Sequence, residues 1–134
     1  MLSGTMRYMS GSPFTIFNSN VDVDRNGELN DPSPAGTYSG TYPGAAVMTD
    51  VKSNGLRNGA IGPDYFQIDL RAGLRRHVTG NQAVEVFLDI FNITNRANFD
   101  NPLGDQRLTD FLRLTTLRPG AVPTTVQLGV RYEF

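Results

Sequence analysis

The sequence has no cysteine among its 134 residues, which excludes disulfides, thiolate metal sites and a cysteine nucleophile. It also lacks any apolar run near the 18 or so residues that a transmembrane helix needs. Neither sign of charge dominates, because 12 basic and 13 acidic residues give a net charge of -1, so nothing indicates a nucleic-acid partner. No spacing resembles a nucleophile elbow, a metal-binding helix or a phosphate loop, so we expect no enzyme.

A signal peptide is also missing from the N-terminal residues. Met1 to Ser12 lack the basic start and the apolar segment that such a peptide requires. Two expectations follow: the chain is cytosolic, or it is the C-terminal part of a longer exported protein whose signal lies upstream of Met1.

What the sequence does contain is alternation. From Thr124 to Phe134, apolar residues occupy one face of an extended chain and Gln127, Gly129, Arg131 and Glu133 occupy the other. This period of two predicts a strand. Its length matches the 9 to 11 or so residues that a tilted strand needs to cross a bilayer, whereas strands of globular domains average about five or six.

Two further strands, Tyr65 to Arg76 and Ala83 to Phe91, flank a tight turn at His77 to Gln82. Centring this turn on Gly80 predicts a register in which apolar residues meet on one face. On the other face, Arg75 is opposite Glu85 and Arg71 is opposite Asp89. Opposite charges that face each other across two strands favour this register. A register shifted by two residues stays open as the alternative.

The remaining segments complete an all-β prediction. Met6 to Phe17 is a candidate first strand with a bulge or kink at Ser10 to Pro13, while residues 18–63 and 92–123 are predicted as long loops, consistent with 14 glycines and 8 prolines. Long loops on one side and a short turn on the other are typical of outer-membrane barrels. We therefore predict antiparallel strands of a partial transmembrane β-barrel, with about four strands, long external loops and a short periplasmic turn.

This topology assigns both faces of the strands. Tyr132 and Phe134 are expected in the inner aromatic girdle, and Tyr65, Phe66 and Phe91 near the outer one. The predicted lumen-facing charges either line a substrate path or only hold water, a plug and each other; they are Asp69, Arg71, Arg75, Glu85, Asp89, Arg131 and Glu133.

One loop resembles the first half of a calcium-binding loop. Asp22, Asp24 and Asn26 place oxygen ligands at positions one, three and five, and Gly27 follows at position six. Ser33 stands at position twelve in place of a bidentate Glu, although Glu28, Asn30 and Asp31 offer other oxygens. The two interpretations are a calcium site and an ordinary solvated turn.

Three segments resemble a known family. RNGAIGPDYFQIDLRAGLRR (Arg57 to Arg76), VEVFLDIFNITNRANFDNP (Val84 to Pro102) and VQLGVRYEF (Val126 to Phe134) are similar to the C-terminal end of TonB-dependent outer-membrane receptors of the Oar-like type, which often carry a carboxypeptidase-regulatory-like domain. The N-x-x-N-R-x-N-F pattern at Asn92 to Phe99 is the most specific feature. Ser10 to Asp31 matches more loosely.

The resemblance implies a large barrel in the outer membrane of a Gram-negative bacterium, with a plug inside, driven through TonB, ExbB and ExbD. It also implies a terminal signal for the barrel-assembly machinery at Leu128, Val130, Tyr132 and Phe134. The sequence shows no plug and no TonB box, and transporter barrels of this kind have about 22 strands. The chain is therefore expected to form part of a wall, in contact with outer-membrane lipid and with the rest of a barrel and its plug.

Two alternatives remain open. A soluble β-sandwich binding or adhesion module would bury Leu70, Leu74, Val86 and Leu88 against a second sheet. A trimer of four-stranded chains would form an outer-membrane anchor.

Overall fold

The computed structural model describes residues 1–44 and 46–134, and it is all-β within that range. No described helix is long and apolar enough to cross a membrane. The chain divides into two units. The first contains Met1–Met9, Tyr65–Ala97 and Gly120–Phe134, and the second contains Ser10–Asp64 and Asn98–Pro119.

A four-stranded antiparallel sheet, here called the long sheet, forms the first unit. Its strands lie in the order β1 (Leu2–Met9), β6 (Tyr65–His77), β7 (Ala83–Phe91) and β8 (Thr125–Glu133). The three longest strands correspond to the three segments with uninterrupted alternation. The predicted class of antiparallel β-structure is confirmed, and the sheet is open in the described residues.

The β6–β7 hairpin has the predicted register. Leu70 pairs with Ile90, Arg71 with Asp89 and Arg75 with Glu85. The turn between the strands is closed by hydrogen bonds from the Val78 N–H to the Gln82 carbonyl and from the Gln82 N–H to the Thr79 carbonyl, both 3.0 Å. Gly80 has a φ of 59°, which glycine adopts without steric cost.

The first strand differs from its prediction at 6–17. β1 begins at Leu2 and ends at Met9, and the next strand, β2 (Pro13–Phe14), belongs to a different sheet. The predicted kink at Ser10 to Pro13 is a change of sheet. Within it, Gly11 packs so closely on the Gly62 carbonyl that any side chain would overlap the backbone.

Antiparallel pairing gives the long sheet two chemically distinct faces. Odd-numbered residues of all four strands share one face, here called the polar face, and even-numbered residues share the apolar face. The predicted outer girdle is therefore wrong in part. Tyr65 and Phe91 lie on the polar face, while Phe66 lies on the apolar face next to Tyr8, its partner on β1.

The second unit has a short sheet and a core of its own. β2 pairs with β5 (Ala60–Ile61), which pairs with β4 (Val51–Ser53), which pairs with β3 (Gly36–Tyr38). The buried apolar core consists of Phe14, Ile16, Val51, Ala60 and Leu112. Leu112 is fully buried although its φ is 58°, a conformation that costs a non-glycine residue free energy.

The predicted long loop at 18–63 is thus corrected in part, whereas residues 92–123 form no strand of either sheet. Most residues of both segments fold together in the second unit, and β3, β4 and β5 lie within the first segment. Each of these strands has only two or three residues, too few to show a period of two in the sequence.

Candidate functional site: the polar face of the long sheet

All seven charged residues predicted to face a lumen lie on the polar face. They alternate with the apolar residues because each sits at an odd position of its strand; they are Asp69, Arg71, Arg75, Glu85, Asp89, Arg131 and Glu133. Six of the seven belong to ion pairs of the structure. The face is therefore charged along its length, with its charges compensated in place.

The Arg71–Asp89 pair occupies the middle of the face. The Arg71 Nε lies 2.5 Å from Asp89 Oδ1 and its Nη2 lies 2.6 Å from Oδ2, so the contact is bidentate. Asp89 is buried, whereas the Arg71 side chain is half exposed. The guanidinium also lies 5.1 Å from the centre of the Phe87 ring, which adds a cation–π contact.

At the end of the sheet away from the turn, Asp69 is the centre of a hydrogen-bond network. Its Oδ1 accepts from the Gln67 side-chain amide at 2.7 Å and from the Asn92 N–H at 2.9 Å, and its Oδ2 lies 3.4 Å from Arg7. Tyr65, fully buried, donates to Gln67 Oε1 at 2.5 Å. Arg7, Tyr65 and Gln67 were not predicted as members of the site, although each sits at the odd positions that carry the polar residues.

At the turn end, one predicted partner is corrected. Arg75 and Glu85 are opposite each other in the backbone register, but the Arg75 guanidinium forms its ion pair with Glu133 on β8. Glu133 also receives Arg131 Nε at 3.4 Å. The arginine side chain is long enough to pass its direct neighbour, so register alone does not identify the partner.

Two clefts flank Arg7, Asp69 and Phe91 on this face. One of about 470 Å³ extends over β1, β6 and β7 and includes Arg71 and Asp89. The other, of about 320 Å³, extends to Gln127 and Val122. Such a surface can hold water or a polar chain against paired charges, and nothing in it resembles a catalytic arrangement of nucleophile and base.

The opposite, apolar face is exposed along β8 and at Leu74 and Val86, whereas Leu70 and Leu88 are partly buried. Leu128 is 72% exposed and Phe134 is 96% exposed, and Val130 and Tyr132, the other two residues of the predicted assembly signal, are also exposed. Leu74 and Val86 are 61% and 39% exposed. The sandwich alternative requires Leu70, Leu74, Val86 and Leu88 to be covered by a second sheet, and the exposure of Leu74 and Val86 does not match it.

The predicted calcium loop lies in the second unit. Asp22 and Asp24 are brought together as predicted, and the third carboxylate within 4.8 Å is that of Asp31. The Asn26 side chain donates to Asp24 Oδ2 at 2.9 Å and its Oδ1 accepts from the Glu28 N–H at 2.7 Å. The Asn26 oxygen is therefore engaged within the loop, and a calcium ion here stays a prediction.

Asp105, also in the second unit, is held by several donors. Partial burial raises its pKa, but hydrogen bonds from the Ser19 hydroxyl at 2.6 Å and from the backbone N–H groups of Arg107 and Ser19 outweigh it. The pKa of Asp105 lies below its usual value as a result. The carboxylate thereby ties Ser19 to the segment that follows Gly104.

Comparison with known proteins gives one family. The sequence model described as outer membrane beta barrel domain matches residues 1–120. No curated protein and no solved structure matches the chain.

Proposed function

We propose, from the premise that this chain belongs to the outer membrane beta barrel domain family, that its long sheet is part of the wall of an energised uptake channel. The family points to the outer membrane and to a barrel-type protein. The transport role, the TonB-dependent receptor type and a Gram-negative source are our proposals beyond that point.

One observation carries the proposal: the long sheet has an exposed apolar face backed by a charge-paired polar face. A membrane barrel turns the first towards lipid and the second towards a wet interior. The strands have suitable lengths for this, since β6, β7 and β8 contain 13, 9 and 9 residues and about 9 to 11 tilted residues cross a bilayer.

The open sheet supports a wall rather than a complete channel. β1 and β8 are its edges, and in hydrocarbon each unpaired backbone group costs several kcal/mol. Further strands must cover these edges in the membrane. We propose that they belong to the same receptor barrel, which also holds the plug and, through it, reaches the TonB system.

The receptor type rests on the resemblance of the three segments described above. It assigns the polar face to the channel interior, Leu128, Val130, Tyr132 and Phe134 to recognition by the barrel-assembly machinery, and no catalytic role to any residue. The long segments 18–63 and 92–123 are proposed as external loops of the barrel.

The first test is the apparent mass of the protein in outer membranes of the source bacterium, probed with an antibody against β8. We expect a protein that only detergent extracts from the membrane and whose band has an apparent mass several-fold larger than 14.7 kDa. A soluble, cooperatively folded monomer would refute the membrane wall. A detergent-stable trimer of 14.7 kDa chains would refute the receptor and support the anchor.

A second measurement tests energy coupling separately. The solubilised protein from the same membranes should bind the isolated periplasmic domain of TonB in a pull-down. Absence of binding would remove the TonB-dependent part of the proposal and leave the barrel wall intact.

A further inference from the structure

The register of β8 against β7 is not fixed by a turn. The β6–β7 hairpin is closed by residues 78–82, but β7 and β8 are joined by the long segment 92–124. A slip by two residues keeps every side chain on its own face, because the alternation has a period of two. The aliphatic residues that meet on the apolar face are also nearly interchangeable, so something else must select the register.

Phe87 and Gly129 provide one selective contact. They are directly opposite each other on the polar face, and the Phe87 ring covers Gly129 so closely that a Cβ there would overlap it. On the other side of Phe87, its β6 partner is Gly73. A Cβ added at Gly73 would lie 3.9 Å from the Phe87 Cβ. A two-residue slip would place Gln127 or Arg131 opposite Phe87, and either side chain would occupy the space of the ring.

Asn92 provides a second contact, at the end of β7. The side-chain amide of Asn92 donates to the Val122 carbonyl at 2.8 Å. The backbone carbonyl of Asn92 accepts from the Thr124 hydroxyl at 2.8 Å. Asn92 is fully buried and has a φ of 49°, which asparagine tolerates better than most residues. A two-residue slip moves β8 by about 7 Å and breaks both hydrogen bonds.

We propose that Phe87 over Gly129, together with Asn92 against Val122 and Thr124, forms a register lock for β8. The lock determines where along the edge of the long sheet β8 presents its outward-facing backbone N–H and C=O groups. This inference does not depend on the proposed transport function, because it concerns only how one strand is aligned before another pairs with it.

Engineered cysteine pairs read the register directly, since the sequence contains no cysteine. Leu88→Cys with Leu128→Cys joins residues that are opposite in the structure. Leu88→Cys with Val126→Cys reports a two-residue slip in one direction, and Leu88→Cys with Val130→Cys reports a slip in the other. Opposite residues are about 4.5–5.5 Å apart between Cα atoms and diagonal ones about 7–8 Å, beyond the usual disulfide limit.

The experiment uses the full-length protein in its membrane, oxidised with a membrane-soluble copper–phenanthroline complex and analysed by mass spectrometry of the linked peptides. In the parent we expect the 88–128 disulfide to exceed each slipped one by about tenfold or more. Phe87→Ala should raise the slipped fraction by about tenfold relative to the parent. An unchanged ratio in Phe87→Ala would overturn the lock.

Phe91→Ala is the matched control. It removes the same side chain from the same face of the same strand, but Phe91 is opposite Thr125 instead of a glycine. We expect it to leave the disulfide ratio of the parent unchanged. An equal rise in the slipped fraction would show a general effect of losing an aromatic residue and would overturn the assignment to Phe87.

A swap keeps the test decisive if Phe87→Ala fails to fold. Phe87→Gly combined with Gly129→Phe places the ring on β8 and the open position on β7. We expect this double variant to recover the 88–128 disulfide as the dominant product. A double variant in which the slipped disulfides persist, or that fails to fold, would overturn the proposal.

Discussion

Replacing Leu128 with arginine distinguishes a lipid-facing sheet from a water-facing one. Leu128 is 72% exposed in the structure. If water covers it, Leu128→Arg is an ordinary surface substitution, worth no more than about 0.5 kcal/mol in the free energy of unfolding. If lipid covers it, the same substitution places a guanidinium in hydrocarbon and must be strongly destabilising.

The position of Leu128 sets the magnitude. β8 has nine residues. At about 3.3 Å per residue it is about 30 Å long, and a tilt of about 35–45° reduces its span across the membrane to about 21–24 Å, close to the apolar band of about 25 Å. Leu128 is next to the central residue, Gly129, and so lies about 3 Å from the midplane. Arginine at the midplane of a barrel costs about 2–4 kcal/mol.

Gln127→Arg is the matched control, because it introduces the same side chain on the polar face one residue away. We expect it to change the free energy of unfolding by less than about 0.5 kcal/mol. Denaturant titrations of the membrane-reconstituted protein, followed by the far-ultraviolet circular dichroism of its strands, measure both variants. Equal midpoints for the two variants would refute the assignment of the apolar face to lipid.

Three further predictions concern the second unit in the full chain. Leu112→Ala should lower its free energy of unfolding by about 2–5 kcal/mol, because it leaves a cavity in the buried core. Gly104→Ala should destabilise it by about 1–3 kcal/mol, since a Cβ there overlaps the Thr15 carbonyl. Asp105→Asn should reduce the loss of stability in acid. The lowered pKa of Asp105 gives a stabilisation that is present above its unfolded pKa and is lost as the pH falls through the lower folded value.

Each of these has its own comparison in urea titrations of the same preparation. Leu117→Ala removes an exposed leucine from the same segment and should change little. Gly36→Ala adds a methyl group at ordinary contact distances and should be neutral or slightly stabilising. Ser19→Ala removes the hydroxyl that donates to Asp105. Like Asp105→Asn, it should reduce the loss of stability as the pH falls. Equal effects of Leu112→Ala and Leu117→Ala would contradict the cavity argument, and a Gly104→Ala variant as stable as Gly36→Ala would contradict the steric one. If neither Asp105→Asn nor Ser19→Ala changed the loss of stability at low pH, the argument for Asp105 would be wrong.

The long sheet was largely predictable because its information is local. β6 and β7 alternate without a break, a short turn joins them, and opposite charges are directly across from each other twice in the observed register. The positions of the charged residues followed from the same alternation. Their partners did not, because Arg75 reaches past its neighbour to Glu133, and the length of a side chain is not visible in a pattern of two.

The second unit was not predictable for the opposite reason. Its core combines Phe14, Val51 and Leu112, which are far apart in the sequence and belong to no repeating pattern. Its strands are held by a few hydrogen bonds each, and tertiary contacts decide where they form. In the acidic loop, the spacing identified Asp22 and Asp24 but left Asp31 as one of three further oxygen donors, and the fold brings its carboxylate next to them.

The directions of the two edge strands constrain whatever completes the barrel. Because β1, β6, β7 and β8 alternate in direction, β1 and β8 run antiparallel to each other. Suppose that added strands join β8 to β1 and that every neighbouring pair is antiparallel. The first added strand then runs opposite to β8 and the last runs opposite to β1, so the first and the last run in opposite directions. The number of added strands is therefore even, and so is the total number of strands in the barrel. A single extra strand would force one parallel pair into the membrane.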